Sequence, residues 1–153
     1  MYDTVVLATD GSASTERAVR VGLDLVKRFD GTVHGLYVLN ASDIAATPEA
    51  VRQDLRDALR DQGQDALAKI AEQADSDVIT SIREGKPATE ICAYAESVEA
   101  DVIVTGTRGR HGEHAFLLGS VAEAVVRQSP IPVLTVRQLE ADEHAQRRPQ
   151  GVA

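Results

Sequence analysis

The sequence predicts an α/β fold, an open five-stranded, mostly parallel sheet with helices on both faces. Three observations predict it. Five short runs with strand character recur at residues 4–9, 32–39, 78–83, 101–105 and 133–136, and a helix-like stretch follows each of the first four. The first of them, TVVLAT, is continuously apolar, as in a parallel strand covered on both faces. Aromatic residues are 3% of the chain against 43% hydrophobic, so the core is built from Val, Ile, Leu and Ala, which suits helices laid on a β-branched sheet. The connections are long enough for right-handed crossovers, and the arrangement expected is the Rossmann-like strand order 3-2-1-4-5.

Each element has its own signals. Asp10-Gly11-Ser12 ends the first strand, and Ser12 or Ser14 is placed to cap a helix with Ala18, Val21, Leu25 and Phe29 on one face. Asp30-Gly31 stops that helix before the second strand. Residues 40–47, small and polar, read as a loop. Pro48 suits a first helical turn, and the following helix runs to about Ala74 with Val51, Leu55, Leu59, Leu67, Ile70 and Ala74 inward. Gly63 is expected to loosen or kink it, and its alternating Arg and Asp residues read as a solvated, ion-paired face. Glu84-Gly85 closes the third strand, and Pro87 starts a helix with Ile91, Ala95 and Val98 on its core side. A helix over residues 121–128 precedes the last strand, with Ser120 and Glu123 spaced as a capping box. Residues 1–137 make one domain, and 138–153 form a charged tail expected to be disordered.

In such a sheet ligands bind beyond the strand C-termini where the strand order reverses. If strands one and four are neighbours there, Asp10 and Gly106 face one crevice. The stretch GTRGRHGEHAFLLGS, residues 106–120, adds the chemistry. Gly106 and Gly109 let the backbone turn close to a ligand. Gly119 and Ser120 open the next helix, whose free N–H groups and dipole suit an anion. Arg108 and Arg110 supply positive charge between these anchors. Two clusters of backbone donors in one strand–loop–helix unit point to a polyphosphate. The loop is neither of the common phosphate motifs: the single Gly-Lys pair, Gly85-Lys86, is followed by Pro87, and the glycines at 106, 109 and 112 do not make G-x-G-x-x-G.

Composition excludes other classes. A formal net charge of −8 argues against a nucleic-acid binder and against anionic membranes. No apolar run approaches a membrane span and no cleavable leader is visible, so a cytoplasmic location is expected. Cys92, the only cysteine, reads as a small core residue. His34 reads as structural. His111 and His114 have helical metal-ligand spacing but no third ligand in sequence nearby, so no protein-held metal is expected.

The TVVLATDGS start, the G-x2-G-x9-G-S pattern at Gly106, Gly109, Gly119 and Ser120, and the SPIPVLTVR segment resemble the universal stress protein family, over nearly the whole chain from about Tyr2 to Arg137. The spaced glycines resemble its ATP-binding branch. The resemblance implies that Asp10 contacts the nucleoside of ATP together with backbone at Ala8 and Thr9. It implies adenine against the backbone of Val38, ribose near Gly106 and Thr107, and phosphates held at Gly109, Gly119, Ser120 and Val121. Mg²⁺ or Mn²⁺ on the phosphate oxygens is implied too, as is a homodimer through antiparallel pairing of residues 133–137.

Three functions follow as expectations. The first is a nucleotide-responsive regulatory protein of the stress response, read by an unknown protein partner. The second is a slow ATPase or nucleotide hydrolase, with Glu113, His111 or His114 orienting water. The third is a dimeric assembly module that no longer depends on ligand.

Overall fold

A computed structural model describes residues 1–108 and 118–139. The five strands are β1 (Thr4–Thr9), β2 (Thr32–Asn40), β3 (Val78–Gly85), β4 (Val102–Gly106) and β5 (Val133–Val136). The helices are α1 (Glu16–Phe29), α2 (Ala41–Ala45), α3 (Arg52–Gln73), α4 (Pro87–Ser97) and α5 (Ser120–Gln128). All four strand pairings are parallel and the order is β3-β2-β1-β4-β5, as expected. β1 lies at the centre, with Val5 opposite Val33 on one side and Val102 on the other.

Alternation along the strands sorts the core into two layers. Val5, Leu7, Val33, Tyr37, Leu39, Val102 and Val104 face α1 and α3, while Val6, Ala8, Leu36 and Ile103 face α4 and α5, where Ile91, Ala95 and Val125 complete the layer. Val5, Val6, Val33, Ile103 and Val104 are wholly shielded from solvent. Each such side chain contributes about 1.5–3 kcal/mol relative to an exposed one.

Several local expectations are corrected. α1 buries Ala18, Val19, Gly22 and Val26, while Val21 and Leu25 are half-buried and Phe29 is exposed. The buried stripe runs through Gly22, where a Cβ would come within 2.0 Å of Leu7 Cδ2, so the helix closes on β1 where it has no side chain. Neither Ser12 nor Ser14 caps it by a side-chain hydrogen bond; a short 3-10 turn, Ala13–Thr15, leads in, and Asp30 ends the helix in the left-handed conformation.

Residues 41–45 form a helix rather than a loop, because the Asn40 side chain accepts from Ser42 N and caps it. α3 runs through Gly63 without interruption. A Cβ at Gly63 would lie 2.6 Å from Tyr37 Cδ1, so the glycine permits contact with β2 and is no kink. Val51 is exposed, Leu55 and Leu59 are half-buried, and Leu67 and Ile70 are the buried inward residues. Arg52 donates to the carbonyls of Thr47 and Ala45, and Arg56 pairs with Glu84 of β3 at 2.6 Å. These two arginines thus tie α3 to its neighbours, while Arg56 also donates to Gln53 and Gln53 to Asp57 along the helix's own surface.

The chain stays packed past β5. Gln138 accepts from Arg17 N at 2.9 Å and Leu139 is buried. The rest of the expected tail, 140–153, lies outside the described residues. No described helix is long and apolar enough to cross a membrane.

Candidate functional site

β1 and β4 lie side by side and end together, so their C-terminal loops share one crevice. Asp10 stands at the end of β1, and its Oδ1 accepts from Ser12 N at 2.8 Å, which fixes the turn that follows. Thr9 Oγ1 accepts from Gly11 N at 3.0 Å and meets Thr15 Oγ1 at 3.2 Å, and Thr15 in turn donates to Ser12 O. The β1–α1 turn is thereby a hydrogen-bonded floor.

Gly106 ends β4 against this floor. A Cβ there would sit 3.2 Å from Ser14 O and 3.3 Å from Thr15 Cγ2, so a glycine lets the two loops touch. Thr107 then joins both ends of the motif: its N–H donates to Val136 O at 3.2 Å and its carbonyl accepts from Gly119 N at 2.6 Å. Eleven positions apart in sequence, Gly119 and Arg108 both line the crevice.

Gly119, not Ser120, is the N-cap of α5, and no side chain caps the helix. The expected capping box is absent because the helix starts one residue earlier than the box requires, which leaves Ser120 and Glu123 outside the N-cap and N3 positions; Glu123 pairs with Arg127 at 2.6 Å, one turn on. Ser120 is instead the first helical residue. It and Val121 are exposed at a helix start, where backbone N–H groups have no intrahelical acceptor and the dipole favours negative charge.

These loops enclose a cavity of about 260 Å³ lined by Ala8, Thr9, Asp10, Val38, Gly106, Arg108, Gly119, Ser120 and Val121. Thr107 adjoins it through the bond to Gly119. Gly109, Arg110, His111, Glu113 and His114 lie outside the described residues. The lining also includes Tyr37, Leu39, Asn40, Asp43, Leu59, Pro87 and Ile91, which sequence reasoning missed as site residues. Their signal was available: most follow or precede the C-terminal ends of β2 and β3, the edge at which ligands collect.

The cavity pairs apolar walls, from Val38, Leu36 and Ile91, with a polar end at Asp10, Arg108 and the start of α5. Arg108 is the one basic residue among the described lining. Its Nε is buried without a hydrogen-bond partner among the described residues, and its Nη2 reaches Gln138 O only at 3.5 Å. An arginine so placed is equipped to fork onto an anion. Elsewhere His34 accepts or donates at Nδ1 to Tyr94 Oη at 2.9 Å, and burial pushes its pKa below the ordinary value. Burial pushes the Cys92 thiol up, which disfavours the reactive thiolate. Both therefore read as structural.

The chain matches the universal stress protein family over residues 1–137. A universal stress protein of Methanocaldococcus jannaschii is 37% identical over 142 residues, covering 90% of this chain and 84% of that relative. Among solved structures, a universal stress protein from Lactobacillus plantarum superposes with a TM-score of 0.79 at 26% identity, covering 89% of this chain and 98% of its own. A universal stress protein in complex with cAMP superposes with a TM-score of 0.66 at 25% identity, covering 89% and 97%. On sequence and on fold, the chain belongs to the universal stress protein family.

Proposed function

We propose that the crevice binds ATP and that this protein is a nucleotide-responsive regulator acting as a homodimer. The observation that carries the reading is the convergence of Asp10, Val38, Arg108, Gly119 and Ser120 on a single cavity at the switch point of the sheet. Adenine would lie between the apolar walls near the Val38 backbone. Asp10 would take the ribose side, with Ala8, Thr9, Gly106 and Thr107 around it. The phosphates would meet Gly119, Ser120 and Val121 at the start of α5, with Arg108 beside them and Gly109 and Arg110 from the intervening loop. Backbone donors suit phosphate oxygens, so Mg²⁺ or Mn²⁺ would be held through the phosphates and not by a protein ligand set. That a similar universal stress protein was solved in complex with cAMP supports an adenine nucleotide as the ligand.

The homodimer would form through antiparallel pairing of residues 133–137. β5 is an edge of the sheet and Leu134 is 38% exposed, which fits a strand awaiting a partner. Ligand occupancy can act on a reader protein only through different affinities for two states. Ordering of residues 106–119 by the phosphates is the difference envisaged.

The test begins by denaturing purified protein and identifying any released nucleotide by mass spectrometry. Stripped protein is then titrated calorimetrically with ATP, ADP and AMP, with and without Mg²⁺. Tight ATP binding that is lost in Asp10→Ala supports the site. No heat with any adenine nucleotide overturns it and leaves the ligand-independent assembly module as the leading function.

A further inference from the structure

β3 is the opposite edge of the sheet from β5. It pairs with β2 on one side, and among the described residues no strand pairs with its other side. Residues 77–83 read Asp-Val-Ile-Thr-Ser-Ile-Arg. Asp77, Ile79, Thr80 and Arg83 are exposed and Val78, Ser81 and Ile82 half-buried, with Ile79 at 49%. Edge strands are ordinarily protected by charge, proline or a bulge within the strand. Here residues 78–82 are uncharged and mostly β-branched; Asp77 stands before them and Arg83 after them, while the next charge, Glu84, is already paired with Arg56 of α3.

That pattern is self-complementary. About a two-fold axis through Thr80, Asp77 falls opposite Arg83, Val78 opposite Ile82, Ile79 opposite Ser81, and Thr80 opposite itself. Directly opposed residues of an antiparallel pair point to the same face. The Val78–Ile82 contacts therefore extend the apolar layer under α3, where both residues already pack. The Asp77–Arg83 ion pairs fall on the α4 face, where Arg83 lies over the Tyr94 ring. A parallel partner copy in the same register would oppose Asp77 to Asp77. We propose that β3 is a self-recognition edge, through which two copies of this chain pair antiparallel over residues 77–83. A strand of this length buries little area, so the pairing is concentration-dependent.

Site-directed cross-linking tests this on the full chain. Across the axis the two Thr80 Cα atoms would be about 4.5–5.5 Å apart, within disulfide reach. Val78 would be four positions out of register with its own copy, roughly 13 Å away. With oxidised glutathione as the two-electron acceptor, Thr80→Cys is expected to form a covalent dimer at least about tenfold faster than Val78→Cys, since the one thiol pair opposes and the other does not. Buried Cys92 is common to both variants. In the Thr80→Cys background, Arg83→Asp should slow the reaction about tenfold by opposing like charges at both ends. Adding Asp77→Arg restores opposite charges and should restore the rate. Melting curves establish that each variant is folded. Equal rates for the two cysteine variants, no covalent dimer, or a charge swap no faster than Arg83→Asp alone would overturn the proposal. The cross-link lies on the edge away from β5, so it reads this contact independently of the other.

Discussion

The two ends of the sheet carry hollows of opposite character. At the N-terminal end, a cavity of about 400 Å³ lies between the C-termini of α1 and α3, lined by Arg20, Asp24, Lys27, Asp30 and Asp75 among others. It is larger than the crevice at the strand C-termini, at about 260 Å³. Yet three of its charged groups already have partners: Lys27 pairs with Asp75 within it, and Asp24 with Arg28 beside it, each at 2.8 Å. Its helix ends are C-terminal, with the Val26 and Lys27 carbonyls already bonded to Gly31 and Asp30. The smaller crevice has a helix N-terminus and an arginine whose buried Nε has no hydrogen-bond partner among the described residues. Volume therefore does not identify the site. The polarity of the helix ends and the state of the side chains are what favour the smaller crevice for an anionic ligand.

The largest effect expected is at the crevice. Gly119→Val should weaken ATP binding about 100-fold, roughly 2.7 kcal/mol, by placing a side chain over the start of α5. Gly119 has φ −62° and ψ 157°, which valine adopts readily, so an unchanged melting temperature beside an unchanged affinity would break the comparison. Gly63→Ala comes next. Its methyl group meets the Tyr37 ring, which lines the crevice, and should cost about 1–2 kcal/mol in urea unfolding despite alanine's better helix propensity. Arg108→Gln should weaken ATP by about tenfold while sparing adenosine, because only the phosphates answer to its charge. Equal losses for both ligands would place Arg108 away from the phosphates.

Smaller effects belong to the N-terminal half. Burial holds the His34 imidazole below its ordinary pKa of 6.5, so the folded state favours the neutral ring. The unfolded chain takes up the proton first as pH falls. Stability from this group is thus complete above about pH 6.5 and declines below it, through the folded pKa. Melting temperature should fall more steeply from pH 7 to 5 in the native chain than in His34→Gln. Asp75→Asn should be the least consequential change. Hydrogen bonding to Lys27 holds the Asp75 carboxyl below its usual range, but both groups are exposed and water screens the pair. Neither ATP affinity nor melting temperature should move measurably; a loss of binding would give the larger hollow a role.

Most of the fold was legible because its strands are dense in β-branched residues and its boundaries are marked by Gly, Pro and Asp. Gly63 was misread because glycine was taken as a property of its own helix. There, as at Gly22, the reason for glycine lies across the interface, in Tyr37 and Leu7 respectively, and no periodicity contains that information. α2 was missed because its sequence, ASDIA, is small and polar, and only the Asn40 cap and the packing of Ile44 make it a helix. At the site, Asp10, Gly106 and Gly119 could be read from strand ends and a helix start. Tyr37 and Pro87 carried the same strand-end signal and were overlooked, whereas Leu59 could not be read, since its presence depends on how α3 closes over the strand ends.

The two hydrogen bonds of Thr107 have a mechanical consequence. One residue fastens the first residue before α5 to the last residue of β5, Gly119 on its carbonyl and Val136 on its N–H. It works as a tie-rod between the crevice floor and the rim of the sheet. A load applied at one end has a path to the other through a single residue.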